Sequence, residues 1–313
     1  MISVSLIIPT YNQRERLEFT LHTIQKQNYD NSKFEVIVIN DGSTDSTLQY
    51  LSLVEMNNLS IISLDQNKGR AYARNQGIKA AKNDILIFVD SDRILPPDFI
   101  SRHVYNLREN HVSIGCVAEL FEHDINKLFE DYKKQNVEFI KAISRARLFN
   151  YYEFISQIYD KNGYSNHPLR WCSLFTGNFG IHKSVFDSVG LFDENFVNWG
   201  FENLEFGYRV QKYGYSFILN KKAVNFHLYH NRDRMGEERN NSHAVFLDKY
   251  PIAGIEHLPK FLDGEISIEH FQSYMTGKEK ETDSKDSFFR KKRFGSKLSS
   301  LSDYAGKLDF WNS

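Results

Sequence analysis

Four short apolar runs, at 4–8, 34–39, 59–64 and 85–89, alternate with polar stretches of helical period at 14–27, 44–57, 69–81 and 96–110. Nearly every residue in the runs is apolar, as expected of strands covered on both faces. The alternation predicts an α/β fold whose central sheet is mostly parallel and flanked by helices, with right-handed crossovers. In such sheets ligands bind beyond the carboxyl ends of the strands. The residues that follow each run are therefore the first candidates. They are Pro9, Thr10, Tyr11 and Asn12 after the first, Asp41 after the second, and Asp90, Ser91 and Asp92 after the fourth.

The texture changes near residue 121. Phe129, Tyr132, Phe139, Ile140 and Ile143 recur near helical spacing among charges, which predicts one or two inserted amphipathic helices. From 171 to 230 small-residue turns return at 175–180 and 190–194, with helices expected near 183–189 and 203–213. Strand signals follow at 215–219 and 223–228. After about 250 the chain is more polar, and helices with loose linker are expected there. This divides the chain into a main domain over 1–250 and an extension over 251–313. Within the domain the expected parts are 1–118, a helical insertion over 119–170, and 171–250.

A net charge of −1 over 313 residues supplies no field that favours nucleic acid. Cys116 and Cys172 form no disulfide framework or metal spacing, which fits a reduced, cytoplasmic setting. No apolar run approaches the roughly 18–20 residues a membrane span needs. The N-terminus lacks a basic region before its first apolar run, so no signal peptide is expected. Arg290-Lys291-Lys292-Arg293, flanked by phenylalanines, is a candidate for peripheral contact with the inner membrane face, or else a solvated charge run.

Two acidic signatures carry the chemistry. Asp90-Ser91-Asp92 ends a buried strand, where carboxylates one residue apart suit Mn²⁺ or Mg²⁺ and the diphosphate it neutralises. The same residues would also serve to cap a following helix. Tyr11 is placed to stack on a base and Asp41 to accept the imide N–H of uracil. Asn67-Lys68-Gly69-Arg70 opens a helix whose N-terminus attracts phosphate, with Arg74 one turn further in. The second signature is Trp199-Gly200-Phe201-Glu202-Asn203-Leu204-Glu205, whose carboxylates are candidates for the base that activates an acceptor hydroxyl. Trp199 would stack on an acceptor sugar. Downstream, His227 and His230 are candidate metal ligands. At i and i+3 on a strand they face opposite ways, so one ligand is expected, with His230 preferred.

These motifs, in this order, resemble family 2 glycosyltransferases of the GT-A fold. The resemblance rests on Pro9-Thr10-Tyr11-Asn12, Asp41 to Asp45, Ala73-Arg74-Asn75, Asp90-Ser91-Asp92, Thr176-Gly177-Asn178 and Trp199 to Arg209, and it spans about residues 3–230. The second half looks like galactosyl- and N-acetylgalactosaminyltransferases. The resemblance implies a UDP-sugar donor contacted by Thr10, Tyr11, Asp41 and Arg74, with Asp90 on the ribose and Asp92 on the metal. It implies Gly177 and Asn178 beside the acceptor, which would be a glycan, a lipid-linked sugar or a polypeptide. The His-x-Arg-Asp pattern starting at His230 resembles the metal histidine of galactosyltransferases. Where inverting members carry Glu-Asp, this chain has Glu202-Asn203. An amide cannot take a proton, which leaves Glu202, Glu205 or another group as base, and leaves an inverting or a retaining outcome open. Two other readings compete: a sugar nucleotidyltransferase, and a non-catalytic sugar-nucleotide-binding module. A homodimer through 251–313 is a further expectation.

Overall fold

In a computed structural model, residues 2–122, 124–148, 150–230, 235–278 and Trp311 are described. Nine strands form a single sheet in the order β3-β2-β1-β4-β8-β6-β9-β5, with β7 paired to β6. The strands are β1 (Val4–Thr10), β2 (Phe34–Asn40), β3 (Leu59–Ser63), β4 (Ile85–Val89), β5 (Arg93–Ile94), β6 (His111–Leu120), β7 (Arg147–Leu148), β8 (Asn178–His182) and β9 (Ser216–Leu228). The helices are α1 (Arg14–Gln25), α2 (Thr47–Leu51), α3 (Arg70–Ala80), α4 (Phe99–Asn106), α5 (Ile125–Lys133), α6 (Val137–Arg145), α7 (Asn150–Ile155), α8 (Ser184–Val189), α9 (Glu202–Lys212), α10 (Met235–Lys249), α11 (Leu258–Leu262) and α12 (Ile268–Met275).

The β3-β2-β1-β4 half is parallel and follows the apolar runs. Two apolar clusters cover its faces. Leu6, Val36, Ile87 and Phe99 belong to one, and Ile7, Ile37, Phe88 and Phe179 to the other. Beyond β4 the pattern departs from the expected parallel order. The segment at 175–180, expected as a turn, contributes β8, which lies antiparallel to both β4 and β6. Its Gly180 packs against His103 of α4, where a side chain would be crowded. A strand through residues with so small a side chain carries little periodic signal. β6 likewise lacks the clean apolar run of the first four strands. The signals at 215–219 and 223–228 are one strand, β9, whose pairing with β6 shifts register between Ile114 and Cys116. Gly115 sits at that irregularity, in contact with Asn178 and the Ala223 carbonyl.

The insertion forms α5 to α7. Phe129, Tyr132, Phe139 and Ile143 turn inward and join the main apolar cluster. Residues of α11 and α12 (Leu258, Phe261, Ile268 and Phe271) also belong to that cluster. Trp311 packs edge-on against Phe139, with ring centroids 5.1 Å apart. Arg290–Arg293 and residues 231–234 lie outside the described residues. Among the described residues no helix is long and apolar enough to cross a membrane.

Candidate functional site

The carboxyl ends of β1, β2 and β4 open onto a cleft of about 850 Å³. Its walls include Pro9, Thr10, Tyr11, Asp41, Arg70, Asp90, Ser91 and Asp92 from the first half of the chain, and Trp199, Tyr229 and His230 from the second. The crevice rule for parallel sheets therefore brings together most of the candidates. Tyr11 keeps 42% of its surface exposed at the rim, as a residue that stacks on a base requires. The buried Thr10 hydroxyl has no hydrogen-bond partner among the described residues.

The loop after β4 is held at several points. Thr20 of α1 donates to the Ser91 carbonyl and accepts from the Arg93 N–H. The two residues of β5 then pair antiparallel with β9, Arg93 opposite His227. The Leu228 N–H donates to the Asp92 carbonyl at 3.0 Å. That pairing brings the Asp92 carboxylate to the histidines. Asp92 Oδ2 lies 3.2 Å from His227 Nε2 and 3.2 Å from His230 Nε2. Potential ligand atoms of all three residues fall within 4.8 Å of one another.

The expectation that the two histidines face opposite ways is corrected here. β9 ends at Leu228, so strand alternation does not extend to residue 230, and the chain beyond the strand returns His230 to the side of His227. Glu119 of β6, opposite His227 in the ladder, takes part as well. Its Oε2 lies 2.7 Å from His227 Nδ1. A carboxylate on the far ring nitrogen favours the tautomer that would present Nε2 to a cation shared with Asp92. Glu119 carried no sequence signal, because the β6–β9 register that places it is a tertiary feature.

Burial alone would raise the Asp92 carboxyl, but Arg93 and His227 outweigh it and hold the carboxyl well below the usual range. Asp90 is likewise lowered, with burial opposed by Arg93 and Arg74. Both carboxylates are therefore ionised near neutrality. Asp92 Oδ1 is buried without a hydrogen-bond partner among the described residues. Ionised carboxylate oxygens and imidazole nitrogens form a donor set that suits Mn²⁺ better than Mg²⁺, since Mg²⁺ strongly prefers oxygen.

Other candidates occupy different places. Arg74, expected at the diphosphate, is wholly buried and does not reach the cleft. Its guanidinium lies 3.2 Å from Asp90 Oδ1 and 2.9 Å from Glu202 Oε1. Arg70, one turn nearer the helix start, is the cleft-lining cation of α3. Asp41 lines the cleft but accepts the Lys68 and Gly69 N–H groups at 2.7 and 3.0 Å. It thus ties the start of α3 to β2, and burial raises its carboxyl pKa. Asn12, in left-handed backbone, accepts from the Thr44 N–H at 2.7 Å and braces the neighbouring loop.

Glu202 begins α9 behind Gly200 and Phe201, both at positive φ. A phenylalanine at φ 65° is a costly conformation, of the kind that collects at functional sites. Glu202 Oε1 is held by Arg74, while Oε2 is buried without a hydrogen-bond partner among the described residues. The Asn203 side chain donates to the Leu174 carbonyl at 2.6 Å. Glu205, a candidate base on the sequence, is fully buried one turn further along α9. There it contacts Arg209, Lys249 and Tyr250; neither it nor the buried Glu202 is among the residues that line the cleft. Asn178, a candidate acceptor contact, is also fully buried, bonded to His103 and to the Cys116 and Ala223 carbonyls. Gly177 lies beneath Asp90 and Arg93, and a Cβ there would stand 2.7 Å from both side chains.

Two family models match the chain: "Glycosyl transferase family 2" over residues 5–189 and "N-terminal domain of galactosyltransferase" over residues 157–231. The uncharacterized glycosyltransferase YfnE of Bacillus subtilis is 29% identical over 279 residues, covering 80% of this chain and 71% of that protein. Validoxylamine A glucosyltransferase of Streptomyces hygroscopicus subsp. jinggangensis is 27% identical over 242 residues. That match covers 73% of this chain but only 56% of the relative, so the chain spans little more than half of its length. Residues 1–349 of S. aureus TarS, solved with UDP-GlcNAc, superpose with a TM-score of 0.53 at 18% identity, over 88% of this chain and 71% of that one. At that identity the likeness bears on the fold, which is GT-A.

Proposed function

Since this chain belongs to glycosyl transferase family 2 and is a glycosyltransferase, we propose that it moves a hexosyl or N-acetylhexosaminyl group from a UDP-sugar to a hydroxyl of a glycan, lipid-linked sugar or polypeptide. The observation that carries the reading is the convergence of Asp92, His227 and His230, of which Asp92 and His230 line the cleft that also holds Tyr11, Asp41 and Arg70. Tyr11 stacks on the uracil, Asp41 and Thr10 face the nucleoside, and Arg70 faces the diphosphate. Asp90 takes the ribose, held in place by Arg74 and Arg93. Asp92, His227 and His230 hold Mn²⁺, with Glu119 orienting His227. Bound there, the cation neutralises the charge that develops on the departing diphosphate.

Glu202 is the base in this reading. Arg74 occupies one of its oxygens and leaves Oε2 for the acceptor hydroxyl. As the acceptor oxygen bonds to the anomeric carbon, the bond from that carbon to the diphosphate breaks. The hydroxyl proton passes to Glu202 and UDP departs. Displacement in one such step inverts the anomeric configuration. Glu205 and Asn203 are structural in this scheme, since Glu205 has both oxygens engaged by Arg209, Lys249 and Tyr250 and an amide takes no proton.

The test is UDP release from a panel of UDP-sugars, with Mn²⁺ or with chelator and no acceptor added. Slow, chelator-sensitive hydrolysis of one donor is the expected result. Pyrophosphate release from UTP and a sugar phosphate would favour a nucleotidyltransferase instead. UDP binding without any turnover under all acceptors would favour a binding module.

A further inference from the structure

β6 and β9 run parallel in the register Glu119 opposite His227 and Leu120 opposite Leu228. Successive side chains on a strand face opposite ways. Leu120 and Leu228 are buried in the main apolar cluster. That pair is the last rung, closed by the Tyr229 N–H donating to the Leu120 carbonyl at 3.2 Å. Phe121 and Tyr229 follow directly after it. The two rings pair at 5.2 Å between centroids, tilted by 44°. Each stays open to solvent, Phe121 by 46% and Tyr229 by 41%. Tyr229 and the adjoining Glu122 line the cleft.

From this arrangement we infer that Phe121 and Tyr229 form an acceptor subsite, a platform for the apolar C–H face of a neutral pyranose. The inference rests on the transferase reading and specifies its acceptor. A large exposed aromatic pair beside a polar cleft marks a binding surface rather than core. Tyr229 lines the same cleft as Asp92 and His230, where an acceptor hydroxyl must come to meet a donor held at Asp92. Glu122 sits at the edge of the platform as a hydrogen-bond acceptor for a ring hydroxyl. Among the described residues, the cleft-lining cations Arg16 and Arg70 belong to α1 and α3 on the nucleotide side, whereas the cleft-lining carboxylates Glu122 and Glu238 come from beyond β5. Arg145 stands 3.6 Å from Glu122 and is mostly exposed, so it offsets that carboxylate only in part. A uronate or phosphate acceptor would meet like charge here.

The experiment is saturation-transfer NMR on the full chain with UDP and Mn²⁺. The probes are the methyl β-glycosides of glucose, galactose, N-acetylglucosamine, N-acetylgalactosamine and glucuronic acid. At least one neutral glycoside is expected to show saturated ring C–H protons, with the signal reduced fivefold or more in Phe121→Ala and in Tyr229→Ala and retained in Tyr229→Phe. Unchanged signals in both alanine variants would overturn the inference, as would saturation of the glucuronide alone or of none of the five. Calorimetric titration of UDP with Mn²⁺ accompanies each variant. If both alanine variants lose UDP affinity in step with the glycoside signal, the effect belongs to the cation site and the subsite is refuted. Wild-type protein that binds no UDP refutes the donor assignment, a failure distinct from that of the subsite.

Discussion

At the scale of single residues, the site depends on ion pairs that set which oxygens remain available. Asp90 is held by Arg74 and Arg93, and Asp92 shares Oδ2 between two imidazoles. Asp92→Asn keeps the shape but removes a charge, so Mn²⁺-dependent UDP release should fall at least 100-fold with the fold intact by circular dichroism. Full activity would sink the cation assignment. Glu119→Gln alters only the group that orients His227. Such outer partners typically contribute 10–100-fold to metal affinity, and a loss of about tenfold in the Mn²⁺ titration is expected. Glu202→Gln removes a proton acceptor while leaving a hydrogen-bonding partner for Arg74. General-base loss of this kind lowers turnover by roughly 10²–10⁴, with donor affinity nearly unchanged. Equal losses in both would place Glu202 in binding instead.

Among the elements, α9 is what links chemistry to packing. Its first residue faces Arg74, and one turn later Glu205 is buried among Arg209, Lys249 and Tyr250, which ties α9 to α10. Glu205→Gln leaves Arg209 without its carboxylate and Lys249 with Asp193 alone. The cost expected in a denaturant titration is about 2–3 kcal/mol, below the 3–5 kcal/mol typical of a fully buried pair because Lys249 is 35% exposed. Burial opposes ionisation of Glu205, but Arg209 and Lys249 outweigh it and lower the carboxyl below its ordinary value of 4.5. A carboxylate lowered in the folded state contributes stability above that value and loses it as pH falls through the folded one. The stability gap between wild type and Glu205→Gln should therefore be full at pH 7 and shrink on acidification below about pH 4.5. A gap that widens in acid would contradict this.

For the whole molecule, the cleft brings together segments distant in sequence, walled by residues 9–92, Glu122 and residues 197–238. Ligands that bind only the folded chain stabilise it by mass action. At about 100 times Kd, UDP with Mn²⁺ should add about 2.7 kcal/mol, seen as a rise of several degrees in Tm that chelator abolishes. No shift with either ligand would exclude a preformed donor site. The sequence by itself determined the parallel half-sheet, since apolar runs of strand length alternating with helical stretches leave few other solutions. It also determined the places of Thr10, Tyr11, Asp90 and Asp92, because strand ends are local features. Only the tertiary structure decided which charges face the cleft. Arg74 and Arg70 stand four residues apart on α3, yet one is wholly buried between two carboxylates and the other lines the cleft. Glu202 and Glu205 begin the same helix, yet only Glu202 meets Arg74. The pairing of β5 with β9, and of β6 with β9, brings Asp92, Glu119, His227 and His230 together across more than 130 residues. Long-range register of this kind has no local signature, because it follows from how a glycine-bearing β8 and a bulged β6 close the sheet.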